Sequence, residues 1–172
     1  MWGIVGNCVF LHPNFNIIGT MIRFIGDIPA KSDSKGRFFL PATLRKTLQG
    51  FGEEKLVLRT DTFQECLVLS PESVWNELVD RLQSKLNPFN RKHALVMRQF
   101  VADSESITLD SNGRLLIPKR YLQKAGIDTE VHFLGVNNTI EIWASEKLEK
   151  SFMDSEEFSQ TLEELMQETN DL

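Results

Sequence analysis

The chain has 172 residues, enough for one ordinary domain with a real core or for two very small ones. With 41% hydrophobic and 25% charged residues it is globular in composition, and no apolar run approaches the roughly 18 residues of a membrane span. Two cysteines, Cys8 and Cys66, cannot build a disulfide framework. The net charge of −5 is uneven: residues 145–172 carry nine acids against Lys147 and Lys150, which leaves the remainder slightly basic.

Residues 1–20 carry no charge, and Gly3, Gly6, Pro13 and Gly19 interrupt Trp2, Phe10, Leu11 and Phe15. No basic stretch precedes the apolar one, as a secretory signal requires, and Val5-Gly6-Asn7-Cys8 is a poor lipidation box. The segment follows neither a helical nor an alternating period. It reads as a disordered or artefactual extension with translation starting at Met21; the alternative is an extra strand on the core.

Beyond Met21 the chain repeats itself. Asp33-Ser34-Lys35-Gly36-Arg37-Phe38-Phe39-Leu40-Pro41 recurs as Asp110-Ser111-Asn112-Gly113-Arg114-Leu115-Leu116-Ile117-Pro118, at an offset of 77 residues. Five of the nine positions are identical, and three more exchange one apolar residue for another. Each copy runs into a helix, over 42–49 and 119–125, that ends at Gly50 or Gly126. Two strands follow in each, over 54–58 and 66–69 in the first copy and 129–134 and 139–143 in the second. Ser70 before Pro71, and Ser145 before Glu146, are expected to cap the next helices.

Between the copies two helices are expected. One covers 71–86, with Val74, Leu78 and Leu82 on one face. The other covers 90–102, with Ala94, Leu95, Met97 and Val101 turned inward, after the break at Asn87-Pro88. The predicted division is an extension at 1–20, a first repeat at 21–76, linking helices at 77–103, a second repeat at 104–150 and an acidic tail at 151–172. Either half alone is marginal for stability, so both are expected to share one pseudo-twofold core.

Gly36 and Gly113 suit the left-handed position of a tight turn, and Asp33 and Asp110 can accept hydrogen bonds from turn N–H groups. Arg37 and Arg114 either pair with those aspartates or project outward. The triplets Phe38-Phe39-Leu40 and Leu115-Leu116-Ile117 predict strands buried on both faces. Lys31, Lys35, Arg37, Arg45 and Lys46 surround the first turn. Arg114, Lys119, Arg120 and Lys124 surround the second, where Asn112 lies inside the loop. Small basic loops on a rigid scaffold suit phosphate contact and base-edge reading; a solvated face with weak ion pairs is the plainer alternative.

The doubled Asp-x-x-Gly-Arg-x-x-x-Pro pattern, the Met21-Ile22-Arg23-Phe24-Ile25-Gly26 opening and the helix pair between the copies resemble the MraZ family. These are two-repeat transcriptional regulators with SpoVT/AbrB-type swapped-hairpin domains, and the resemblance covers about residues 21–150. It implies an α+β, β-rich fold in which two pseudo-symmetric swapped-hairpin repeats form one barrel-like core, with helices between and after them. It implies a bacterial protein of the cytoplasm or nucleoid that assembles as a ring of eight or more copies. Such a ring binds short direct repeats in double-stranded DNA upstream of the division and cell-wall gene cluster, without membrane or cofactor. The family's Asp and Arg fall on Asp33 and Arg37, and on Asp110 and Arg114. Family members often carry an arginine four residues after each proline. Arg45 fits, whereas Leu122 stands in the second copy.

No metal-ligand spacing, phosphate-binding glycine loop or nucleophile elbow points to an enzyme. His12, His93 and His132 read as surface imidazoles, Cys66 as a buried thiol, and Trp75 and Trp143 as core or interface residues. Two rivals remain. An AbrB-type antitoxin would wrap a toxin with the tail, where Phe158, Leu162, Leu165 and Met166 recur at near-helical spacing. A protein-binding scaffold would have no DNA role.

Overall fold

The computed structural model describes residues 21–168, so the reading of residues 1–20, with Cys8 and His12, lies outside the described residues. The elements run β1 (Phe24–Lys31), β2 (Arg37–Phe39), α1 (Ala42–Gly50), β3 (Lys55–Thr60), β4 (Leu67–Pro71), α2 (Glu72–Lys85) and α3 (Arg91–Ala102). They continue as β5 (Ser104–Thr108), β6 (Arg114–Leu116), α4 (Lys119–Ala125), β7 (Glu130–Asn137), β8 (Thr139–Trp143), α5 (Ser145–Ser151) and α6 (Ser155–Glu168). The fold is mixed α+β, with helices between and after the strand groups.

Six strands form one antiparallel sheet in the order β1-β7-β8-β4-β3-β5, and β2 and β6 form a separate two-stranded ribbon. The barrel-like closure expected from the sequence is absent among the described strands: β1 and β5 are the two open edges of the sheet. Strands distant in sequence are neighbours. β1 pairs with β7 from Phe24↔Asn137 to Lys31↔Glu130, and β5 pairs with β3. Exchanging β1 with β5, β3 with β7 and β4 with β8 only reverses the sheet order.

The core lies where the sheet, the ribbon and the short helices meet. Phe24, Phe38, Leu40, Leu44, Leu48, Leu115, Tyr121, Phe133, Ile140 and Ile142 are all buried in it. Each such side chain contributes about 2 kcal/mol by leaving water. α1 and α4 start behind Pro41 and Pro118, whose extended backbone leads into the helix without a side-chain cap. α4 ends at Gly126, left-handed at φ 66°, whose N–H donates to the Gln123 and Leu122 carbonyls.

Three local readings are corrected. Ser70 does not cap α2: it is buried in β4, and Pro71 holds the cap position. Ser145 is the first residue of α5, with Ala144 before it, and its hydroxyl caps nothing. The inward face expected of the second linking helix is not buried: no residue of α3 is, and Leu95, Val96 and Val101 are exposed. α2 and α3 stand beside the sheet as a pair, and periodicity registers an apolar stripe without saying what covers it.

That pair is nonetheless well tied. Trp75 of α2 stacks on Phe100 of α3 at 5.3 Å between ring centroids. Asn90 caps α3 by accepting from the Lys92 and His93 N–H groups. His93 is more than a surface imidazole: its Nδ1 accepts the Asn87 N–H at 2.9 Å and closes the turn between the helices. Cys66 is buried as expected, and burial pushes its thiol up to about 12.

Candidate nucleic-acid interface

The two repeated turns are built alike, and the sequence explains how. Lys35 and Arg37 donate main-chain N–H groups to Asp33 Oδ1, at 2.9 and 3.0 Å. Asn112 and Arg114 donate theirs to Asp110 Oδ1 at the same two distances. Gly36 N–H closes onto the Asp33 carbonyl and Gly113 N–H onto that of Asp110, both at 2.9 Å. The glycines take φ of 75° and 76°, the left-handed conformation that a side chain disfavours. The aspartate therefore organises the turn, and the glycine lets it bend.

The arginines take the first of their two sequence alternatives: they pair. Arg37 donates Nε and Nη2 to Asp33 Oδ2, at 2.9 and 2.6 Å, and Arg114 donates Nε to Asp110 Oδ2 at 2.8 Å. The pairs also touch each other. Arg37 Nη1 lies 3.9 Å from Asp110 Oδ2, and Arg114 Nη1 lies 3.8 Å from Asp33 Oδ2. The ribbon produces this closeness, since antiparallel pairing of Arg37↔Leu116 and Phe39↔Arg114 sets the arginines on one face within two residues of each other. Side-chain exposure is 25% for Arg37 and 19% for Arg114, so neither is sealed from solvent.

The hydrogen bonds of the Arg37 side chain, then of its main-chain N–H, hold the Asp33 carboxyl down to about 2. The Arg114 N–H, aided by its side chain, holds Asp110 below its ordinary 3.8. A carboxyl lowered on folding stabilises the fold above its ordinary value and loses that contribution as pH falls towards the folded value. The denaturant midpoint should thus hold steady down to about pH 4 and drop between about pH 4 and 2. Asp33→Asn should shrink that drop, and an unchanged drop would show that other carboxyls cause it.

The remaining predicted site residues divide into free and engaged groups. Lys35 in the first turn, Lys46 on α1 and Lys119 on α4 are exposed, and their side chains make no hydrogen bond or ion pair among the described residues. Arg120 pairs with Glu105 at 2.6 Å and lies over the Tyr121 ring. Lys31 pairs with Glu130, and Lys124 with Asp103. Arg45 has a role the sequence did not show: from α1 it reaches the other turn and donates Nη1 to the Asn112 carbonyl at 3.0 Å.

Arg45 distinguishes the two glycines. A Cβ on Gly36 meets nothing within 4 Å, whereas on Gly113 it falls 1.9 Å from Arg45 Nη1. Gly36→Ala should cost about 1 kcal/mol from backbone strain alone. Gly113→Ala should cost roughly 2 kcal/mol, since it also breaks the Arg45 bond. Equal losses in urea unfolding would remove Arg45 from this account.

Sequence reasoning also missed the outer face of the ribbon. The triplets are not buried on both sides: Phe38, Leu40, Leu115 and Ile117 point inward, while Phe39 and Leu116 are 50% and 59% exposed. Three consecutive apolar residues conceal the alternation of a strand. The Arg114 guanidinium lies over the Phe39 ring at 5.6 Å.

The chain is similar over most of its length to several named relatives. It is 57% identical over 148 residues to the transcriptional regulator MraZ of Bacteroides fragilis, covering 86% of this chain and 94% of that protein. The chain belongs to the MraZ family. The MraZ of Bacteroides thetaiotaomicron is 56% identical over 150 residues, covering 87% of this chain and 96% of that protein. The MraZ of Flavobacterium psychrophilum is 36% identical over 152 residues, covering 88% and 96%. The family model described as "MraZ protein, putative antitoxin-like" matches residues 100–169, which include the second turn and the tail helix. These MraZ relatives are named as regulators of transcription. Among the described residues no His, Cys, Asp and Glu cluster could hold a metal, and no helix is long and apolar enough to cross a membrane.

Proposed function

We propose that the chain is a sequence-specific, DNA-binding transcriptional regulator that reads short direct repeats through its paired turns. The observation that carries this reading is the joining of the two Asp-x-x-Gly-Arg turns into one face, with the second aspartate 3.9 Å from the first arginine. The four charged groups of that cluster cancel, so the positive charge that meets DNA would come from Lys35 in the first turn, Arg45 at the second, and Lys46 and Lys119 on the helices that follow the ribbon strands. Phosphates would be held by the lysines. Arg37 Nη1 and the Nη atoms of Arg114 take no part in the hydrogen bonds to the aspartates, and they suit the O6 and N7 acceptors of guanine. The aspartates keep each guanidinium oriented before DNA arrives.

On this reading residues 21–76 and 104–150 are two swapped-hairpin repeats, and the interleaving of β1 with β7 and of β5 with β3 is their exchange. One face offers few phosphate contacts. A ring of copies would set several faces along tandem repeats, and the second contact would gain from the tethering of the first. The protein would act in the cytoplasm, at the nucleoid.

The test is a salt series on duplex binding, with the native mass measured alone and with promoter DNA holding tandem repeats. Affinity should fall by about 0.9 log units per log unit of salt for each phosphate neutralised, and the mass should be a multiple of the protomer. A duplex affinity indifferent to salt would refute the reading. A toxin-binding tail is favoured by one observation: Phe158 and Leu162 lie exposed along α6. Phe158→Asp combined with Leu162→Asp should leave DNA binding unchanged if the turns alone carry it.

A further inference from the structure

Phe39 and Leu116 are the two exposed apolar residues of the ribbon, and they occupy equivalent positions 77 residues apart. Pairing Phe39↔Arg114 and Arg37↔Leu116 puts all four on one face as a checkerboard, arginines on one diagonal and apolar groups on the other. Beneath them Phe38 and Leu115 are fully buried, so the backbone carrying the checkerboard is anchored in the core. The Arg114 guanidinium lies over the Phe39 ring, and both apolar groups remain half exposed on an otherwise charged face.

We infer that Phe39 and Leu116 read thymine, packing against its 5-methyl group in the major groove while Arg37 and Arg114 reach the neighbouring guanine edges. This rests on the DNA-binding reading given above. Three observations favour DNA over another apolar surface as the occupant. The two apolar groups are interleaved with arginines in place of adjoining each other. Exposed cations stand close in the chain, Lys35 four residues before Phe39 and Lys119 three residues after Leu116, and their side chains have no hydrogen-bond or ion-pair partner among the described residues. A two-stranded ribbon also fits the width of the major groove, where the methyl of thymine is the one apolar feature a base pair presents.

The inference predicts a preference that arginine contacts alone cannot give. Arginine distinguishes guanine, and the apolar pair distinguishes thymine from cytosine and from uracil. Each recognised half-site would therefore hold a guanine and a thymine close together, repeated in the opposite strand sense where the second turn reads. Burying one methyl group contributes about a fourfold gain in affinity, so two contacts multiply to roughly fifteenfold.

The experiment uses the full chain and the tightest-binding duplex selected from a random pool, made once with thymine and once with uracil throughout. Uracil should weaken the wild-type protein by about fourfold for each contacted methyl at fixed salt. Phe39→Ala and Leu116→Ala should each bind the thymine duplex more weakly and lose part of the uracil penalty. Their melting temperatures should stay near wild type, because both side chains are already half in water. Equal binding of both duplexes by the wild type overturns the inference while leaving DNA binding intact. Variants that keep the full uracil penalty also overturn it, and if they lower the native mass the patch is a contact between copies. Failure of any duplex to be selected with salt-dependent affinity removes the parent reading and this one together.

Discussion

Arg37→Ala should lower duplex affinity by about ten- to a hundredfold, the discrimination expected from one bidentate arginine contact. The fold should survive the change. Asp33 Oδ1 keeps the main-chain N–H groups of Lys35 and Arg37, so the turn retains its inner hydrogen bonds after the guanidinium is gone. Arg37→Lys should fail almost as badly, since an ammonium cannot bond Asp33 through an Nε and Nη2 edge and still present a fixed Nη1 to a base. Arg114→Ala should cost less. The first turn carries the unpaired Lys35 where the second has the uncharged Asn112, and near the second Arg120 is committed to Glu105. Affinity by fluorescence anisotropy, beside thermal unfolding of the same samples, separates the outcomes. Unfolding of either variant with unchanged affinity per folded molecule would make the arginines props of the turn and nothing more.

Gly135→Ala should cost about 3 kcal/mol of folding stability, a large effect for one methyl group. Its Cβ would lie 2.4 Å from the Ile25 nitrogen and 2.6 Å from the Phe24 carbonyl carbon. Both are backbone atoms, so no rotamer change relieves the clash. β1 sits at the edge of the sheet, where β7 is the one strand it pairs with, across Gly26↔Gly135. The methyl group must therefore push β1 away or break the pairing, and Phe24 would leave the core with it. Urea unfolding at neutral pH measures the loss. A change below about 1 kcal/mol would show that β1 shifts freely and contributes little.

Much of the fold was legible because the chain states it twice. The offset of 77 residues located both turns and both short helices, since Asp, Gly, Arg and Pro each do a job that few other residues can do, and the strands after them recur in the same order. What stayed hidden was what local pattern does not encode. The partner of β1 is β7, from 99 to 113 residues away, and nothing in Phe24–Lys31 names it. Three apolar residues in a row masked the exposure of Phe39 and Leu116. Arg45 was legible as a charge beside the turns, but its reach was not: from α1 it bonds the Asn112 carbonyl of the other turn. The stripe on α3 was real as a pattern, yet Leu95 and Val101 face solvent.

The interleaved sheet also governs how the molecule comes into being. During synthesis β1 emerges early but must wait until Glu130–Asn137 have left the ribosome before its main chain is paired, and β3 waits for Ser104–Thr108 along one side. For most of translation the nascent chain thus displays open strand edges that invite pairing with another copy. Factors that shield emerging polypeptides should matter more to its yield than its modest size suggests, and a pause inserted before the second half should raise aggregation.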